Sequence, residues 1–239
     1  MKTSLRVSLC AYLALMAYLV LVKITLTAFP GVFRSSAQAA VFGWPFLGAW
    51  TTLGLAGVAL ADRTGFPTAW GGGVGVRQRF LAPTLLGIAL GVLAIATDAA
   101  TGWTRIVAAK MQLPSIHIAW PASLLIYPGG AIIVEVAYRI LLVPLLLWLV
   151  SSIVLRGRGQ ERTFWILAVV TSLMEPLTQD LGGMLHEPQH VTFALVFAQD
   201  FVLNFAQAAL FRRYGFLSAI WLRVVFYLLW HVLWPGLGM

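Results

Sequence analysis

Long apolar runs, rather than strict alternation, organise this chain. They lie at about 8–29, 39–61, 80–97, 129–155, 163–180, 191–211 and 216–235. Each is long enough to cross a hydrocarbon core about 30 Å thick at about 1.5 Å per helical residue. An eighth apolar stretch, about 114–127, has only 14 residues and is interrupted by Pro121. It is too short to cross and reads as a re-entrant or interfacial segment. The predicted fold is therefore all-α: a polytopic transmembrane helical bundle of seven spans plus that short segment, in a single integral membrane domain over 1–239. No internal repeat is visible, so an inverted-repeat transporter has no direct support.

Polar residues between the runs set the orientation. The N-terminus and the loops 62–79, 156–162 and 212–215 fall on one side of a seven-span chain. They hold Lys2, Arg6, Arg63, Arg77, Arg79, Arg156, Arg158, Arg162, Arg212 and Arg213, against Arg34, Arg105 and Lys110 on the other. Ten cations against three is a positive-inside bias, which predicts a cytoplasmic N-terminus and an external C-terminus, in the setting of a bacterial inner membrane. The first run is too long for a cleaved signal peptide and carries Lys23 near its far end, where a lysine can snorkel. The glycine-rich stretch Trp70-Gly71-Gly72-Gly73-Val74-Gly75 has neither a preceding strand nor a phosphate-loop pattern, and reads as a flexible connection.

Composition sharpens the class. AVILMFWYC residues make up 60% and charged residues 10%, which excludes a water-soluble enzyme domain. The net charge of +8 is accounted for by loop cations facing anionic headgroups, so membrane lipids, not nucleic acid, are the expected partners. The single cysteine, Cys10, leaves no intrachain disulfide and no cysteine metal cage. Ten tryptophans and six tyrosines fit interfacial belts or a partner surface.

Charges inside the spans need partners or a purpose, because a buried charge costs at least about 2.5–3.5 kcal/mol on insertion scales. Counted from the outer ends, Glu135 lies roughly 10 Å deep, Arg139 roughly 16 Å, Asp200 roughly 14 Å and Arg223 roughly 18 Å. Glu135 and Arg139 share a helix face at i,i+4. The four charges cancel, so a cluster of Glu135 and Asp200 with Arg139 and Arg223 is expected, completed by Gln199, Asn204, Gln207 and Tyr227. Its plainest role would be to tie three helices together. A shallower group comprises Glu175, Gln179, Asp180, His186, Glu187, His190 and His231. The His186-x-x-x-His190 spacing suits a metal only in a helix, and Pro188 interrupts it. No metal site is assigned, no cofactor is implied, and His117 receives no role.

Four stretches resemble the CPBP family, the CAAX-protease and bacteriocin-processing membrane proteins. They are Arg77-Gln78-Arg79-Phe80; Val134-Glu135-Val136-Ala137-Tyr138-Arg139-Ile140-Leu141; Ala168 to Asp180; and Ala208 to His231, especially Phe211 to Ile220. The similarity covers about 77–235. It implies that Glu135 and Arg139 match the second Glu and the Arg of the family's Glu-Glu-x-x-x-Arg motif, with Val134 in place of the first Glu. Glu175 and Gln179 stand where the family has Phe-x-x-x-His. Arg223 stands for the second histidine and Tyr227 for the Asn or Asp. The resemblance implies a fold whose peptidase site has been lost or rebuilt: glutamine is neutral and arginine permanently protonated, so neither takes a proton from water.

Three functions are compatible with these residues. The first is a membrane-embedded binding or accessory protein that takes a lipidated or hydrophobic peptide or a partner membrane protein. The second is a divergent intramembrane endopeptidase with Glu135 as base. The third is a transporter or proton pathway through Glu135, Asp200 and Arg223.

Overall fold

The computed structural model describes residues 3–28, 32 and 39–237. Among them every regular element is helical. In chain order these are α1 (Thr3–Ala28), α2 (Trp44–Arg63), α3 (Arg77–Thr101), α4 (Trp103–Lys110), α5 (Ser123–Val154), α6 (Gln160–Gln179), α7 (Leu181–His186), α8 (His190–Tyr214) and α9 (Phe216–Gly236). Six of them, all but α4, α6 and α7, are long and apolar enough to cross a membrane. The 20-residue α6 is as long as α2 but buries Thr163, Thr171, Ser172 and Glu175 among its neighbours. The chain is an integral membrane protein, and these seven long helices form its bundle.

The short apolar segment divides differently from its expected limits. Residues 114–122 form no regular helix, whereas α5 begins at Ser123 and runs through Pro128-Gly129-Gly130. Tertiary packing offsets the weak propensity here. A Cβ on Gly129 would meet Phe42 at 2.9 Å and Leu19 at 3.3 Å, so a glycine is what lets α5 reach α1 and the residues before α2. About half of α5 and α9 is buried, 50% and 56% of their apolar windows, against 22–33% for α1, α2, α3 and α8. These two are the central helices. The outer helices present residues such as Leu21, Ile24, Leu85, Val92 and Ile166 outward, as a lipid solvent requires.

The N-terminal ends of α1, α3, α6 and α9 gather at one face with the C-terminal ends of α2 and α8. Ser4 Oγ donates to Asp62 Oδ1 at 3.2 Å, Gln160 Nε2 to the Thr64 carbonyl at 2.7 Å, and Arg212 to that carbonyl at 3.2 Å and to Glu161 at 3.0 Å. Arg212 holds the Glu161 carboxyl below the ordinary carboxylate range. Arg6, Arg63, Arg77, Arg156, Arg158, Arg162 and Arg213 also belong to this face, and Arg105 and Lys110 to the other. Lys2 and Arg34 lie outside the described residues.

Arg79 departs from its expected role as a surface cation. It is buried, and its guanidinium donates to the carbonyls of Thr68 (2.8 Å), Tyr214 (3.0 Å) and Gly71 (3.2 Å). It ties the glycine-rich connection to the last residue of α8, just before α9 begins, so that stretch is not a free linker. Gly71, Gly72 and Gly73 all have positive φ, which a residue without a Cβ adopts at no steric cost.

Three π-helical turns have a covalent origin. Arg77–Leu81, Val136–Ile140 and Leu228–Leu233 each contain the residue four before a proline: Pro83, Pro144 and Pro235 respectively. Proline has no N–H for the carbonyl four residues back, and its ring crowds that carbonyl. The helix widens there instead, as in the Leu141 N–H to Val136 carbonyl bond of 3.3 Å. The freed Ile140 carbonyl then sits where a Cβ on Gly57 would be only 2.2 Å away, so α2 packs its bare face on this irregularity.

Candidate binding cavity and polar core

The first of the two π-helical turns of α5 follows Glu135 and contains Arg139. Glu135 Oε1 lies 3.0 Å from Arg139 Nη1, and both side chains are buried, 0% and 1% exposed. Gln207 of α8 also donates to Glu135 Oε1 and, at 3.2 Å, to the Ala219 carbonyl of α9. Arg139 donates to the side-chain oxygen of Asn204 and, at 3.3 Å, to its carbonyl. Asn204 Oδ1 also accepts from Arg223 at 2.8 Å. Arg223 donates twice to Gln207 Oε1, at 3.0 and 2.9 Å, to Tyr227 Oη at 3.1 Å, and through both Nη atoms to Glu175, each at 2.8 Å. Two glutamates and two arginines thus form one network across α5, α6, α8 and α9. Desolvated pairs in hydrocarbon depend on matching the remaining donors and acceptors; here Glu135 Oε2 has no hydrogen-bond partner, and Arg139 Nη1 has only its ion pair with Glu135.

The structure brings together Glu135, Arg139, Glu175, Arg223 and Tyr227, with Asn204 and Gln207 completing the bonds as their residue types suggested. It does not bring Asp200 onto Arg223: the fourth charge is Glu175. The depth count misplaced Glu175 because it assumed that every helix ends at the same level. α6 stops at Gln179 and the chain turns into the short α7, so a residue near the end of α6 lies level with the middle of α9. Gln199 bonds Thr97 of α3 instead of the network.

Beside this network is a cavity of about 790 Å³ between α3, α6, α8 and α9, roofed by α4 and α7. Arg223, Glu175 and Tyr227 form part of its wall; Glu135 and Arg139 do not line it. Gln179, exposed and 3.5 Å from Glu175 Oε1, and Asp200 also line it. Its aromatic wall comprises Trp103, Phe193, Phe226, Tyr227 and Trp230. Asp98, another lining residue, is satisfied by Thr104 N (2.7 Å), Thr104 Oγ1 and Trp234 Nε1 (2.7 Å), and anchors the start of α4. Lys110 of α4 pairs with Glu187, which follows α7, and so fastens the two roof helices together.

His117 has a place that the sequence did not suggest. Its Nδ1 is 3.0 Å from Nδ1 of His231, whose ring stacks on Tyr127 at 4.3 Å. His231 lines the cavity, on the π-helical turn beyond Tyr227. The signal was weak: the two histidines are 114 residues apart, and residues 114–122 have no helical periodicity to set a facing direction. His186 ends α7 and His190 begins α8, so the two do not share a helix face. Among the described residues, no three His, Cys, Asp or Glu side chains are grouped to hold a metal ion.

The cavity can bind and orient a ligand through several donors and acceptors. The network behind it can hold charge in place, but its carboxylates are already engaged by guanidinium groups. Comparison with family models, with curated proteins and with solved structures returns no match for this chain.

Proposed function

We propose that this protein is a membrane-embedded binding or accessory protein with CPBP-like architecture and without the family's peptidase chemistry. Its cavity takes part of a hydrophobic or lipidated peptide, or of a partner membrane protein. In this reading the N-terminus is cytoplasmic, the membrane is a bacterial inner membrane, and the cavity opens on the opposite side.

The observation that carries the reading is the state of Glu135. Peptide-bond attack by water needs a proton acceptor that the water can reach. Glu135 is 0% exposed, is engaged by Arg139 and Gln207, and is separated from the cavity by Gln207 and Arg223. Arg223 is permanently cationic, so it stabilises an anion or carbonyl oxygen but takes no proton.

The test is cleavage in liposomes. A membrane-anchored peptide bearing a lipidated cysteine is incubated with the reconstituted protein and analysed by mass spectrometry. The expected result is retention of the intact peptide together with saturable co-purification. Cleavage abolished by Glu135→Gln would establish the endopeptidase alternative instead. The His117–His231 contact favours a second reading, hydrolysis rebuilt on an imidazole, because His231 does face the cavity. Cleavage that survives Glu135→Gln but not His231→Gln would select it.

A further inference from the structure

The cavity contains one polar feature that the network does not use. Four acidic side chains line it, Asp98, Glu175, Asp180 and Asp200, with two basic ones, Lys110 and Arg223. Asp98 is fully bonded, Glu175 is held by Arg223, and Lys110 is taken by Glu187. What remains is Asp180, at the junction of α6 and α7, beside Asp200 of α8. Asp180 is 3% exposed; no donor group reaches its Oδ2, and its carboxyl meets that of Asp200, where one proton can be shared. An orphaned carboxylate oxygen at that burial is expensive, and two carboxyl groups side by side repel unless a proton or cation lies between them.

We propose that Asp180 and Asp200 form the recognition site for an organic ammonium group carried on an apolar or aromatic body. This rests on the reading of the cavity as a binding site and adds the chemical class of what it receives. An ammonium has three donors and no acceptor, and can bridge the two carboxylates in place of a shared proton, which is released to water. Two oxygen-bearing side chains are too few to hold a divalent metal, which takes six or more ligands or keeps its water. Trp103, Phe193, Phe226 and Trp230 in the same wall suit an apolar body, and aromatic faces also attract cations. The volume of about 790 Å³ is ample for a single-ring amine or for the N-terminal residues of a peptide.

The test uses the full-length protein in nanodiscs, with 2-phenylethylammonium and its neutral near-isostere 2-phenylethanol as probes. Binding is followed by calorimetry, and empty nanodiscs correct for partition into lipid. The expected result is saturable binding of the ammonium, weaker by about tenfold or more for the alcohol, as the loss of a charge-assisted hydrogen bond implies. Asp180→Asn and Asp200→Asn should each weaken the ammonium by a similar factor and so narrow its advantage over the alcohol. The wild-type comparison stands even if a variant fails to fold. Equal affinity for the two probes would overturn the proposal while leaving the cavity a binding site. The absence of saturable ammonium binding would also overturn it, and retention of the lipidated peptide would then show separately whether the binding reading survives.

Discussion

Arg223 makes six hydrogen bonds to four side chains in the middle of α9. Removing it leaves Glu175 buried and unpaired, which costs about 3–5 kcal/mol for a desolvated ion pair. Replacing both partners removes the orphan as well as the bond. We therefore expect Arg223→Leu or Glu175→Leu alone to lower stability by about 3–5 kcal/mol, and the double variant to lose less than either. Chemical unfolding in mixed micelles measures this, and additive losses would contradict it. Part of this chemistry was legible at residue level. The i,i+4 spacing placed Glu135 on Arg139, and the neutral charge sum required the arginines to find acids. The choice of Glu175 over Asp200 was not legible, because it depends on where α6 stops relative to α9, a property of packing.

At the scale of the helices, prolines and glycines set the local geometry. Pro144 opens the π-helical turn that contains Arg139, and Gly57 of α2 fits against the carbonyl left free. A methyl group there has no space, so Gly57→Ala should cost about 1–3 kcal/mol through overpacking, whereas Gly48→Ala, which meets nothing within 4 Å, should be near neutral. Thermal unfolding of the two variants under one condition decides this, and equal shifts would remove Gly57 from the account. The start of α5 shows the reverse relation between sequence and structure. Pro128-Gly129-Gly130 reads as a helix start, yet the helix begins at Ser123, because Gly129 gives α5 close access to Leu19 and Phe42. Propensity marked a weak stretch, and tertiary contact overrode it.

For the whole molecule, run length and loop charge carried most of the information. Seven runs became seven long helices, because hydrocarbon leaves a backbone little choice but helix. The cavity was not legible, since it arises from the offset of α4, α6 and α7 against the longer helices. The proposed orientation predicts that trypsin cuts the exposed Arg156–Arg158 loop in inverted membrane vesicles and spares it in spheroplasts. The opposite pattern would invert the topology and place the cavity on the cytoplasmic side. Two compartments are central: an accessible acidic cavity whose wall includes Arg223 and Glu175, and a sealed Glu135–Arg139 pair behind that wall. The most direct measurement is labelling of single cysteines in a Cys10→Ser background with a membrane-impermeant maleimide applied to spheroplasts. Thr178→Cys, on the cavity wall, should react readily, and Ala219→Cys, fully buried beside Gln207, should stay unlabelled until the protein is unfolded. Comparable labelling at both positions would mean that water reaches Glu135, and the sealed Glu135–Arg139 pair would no longer stand.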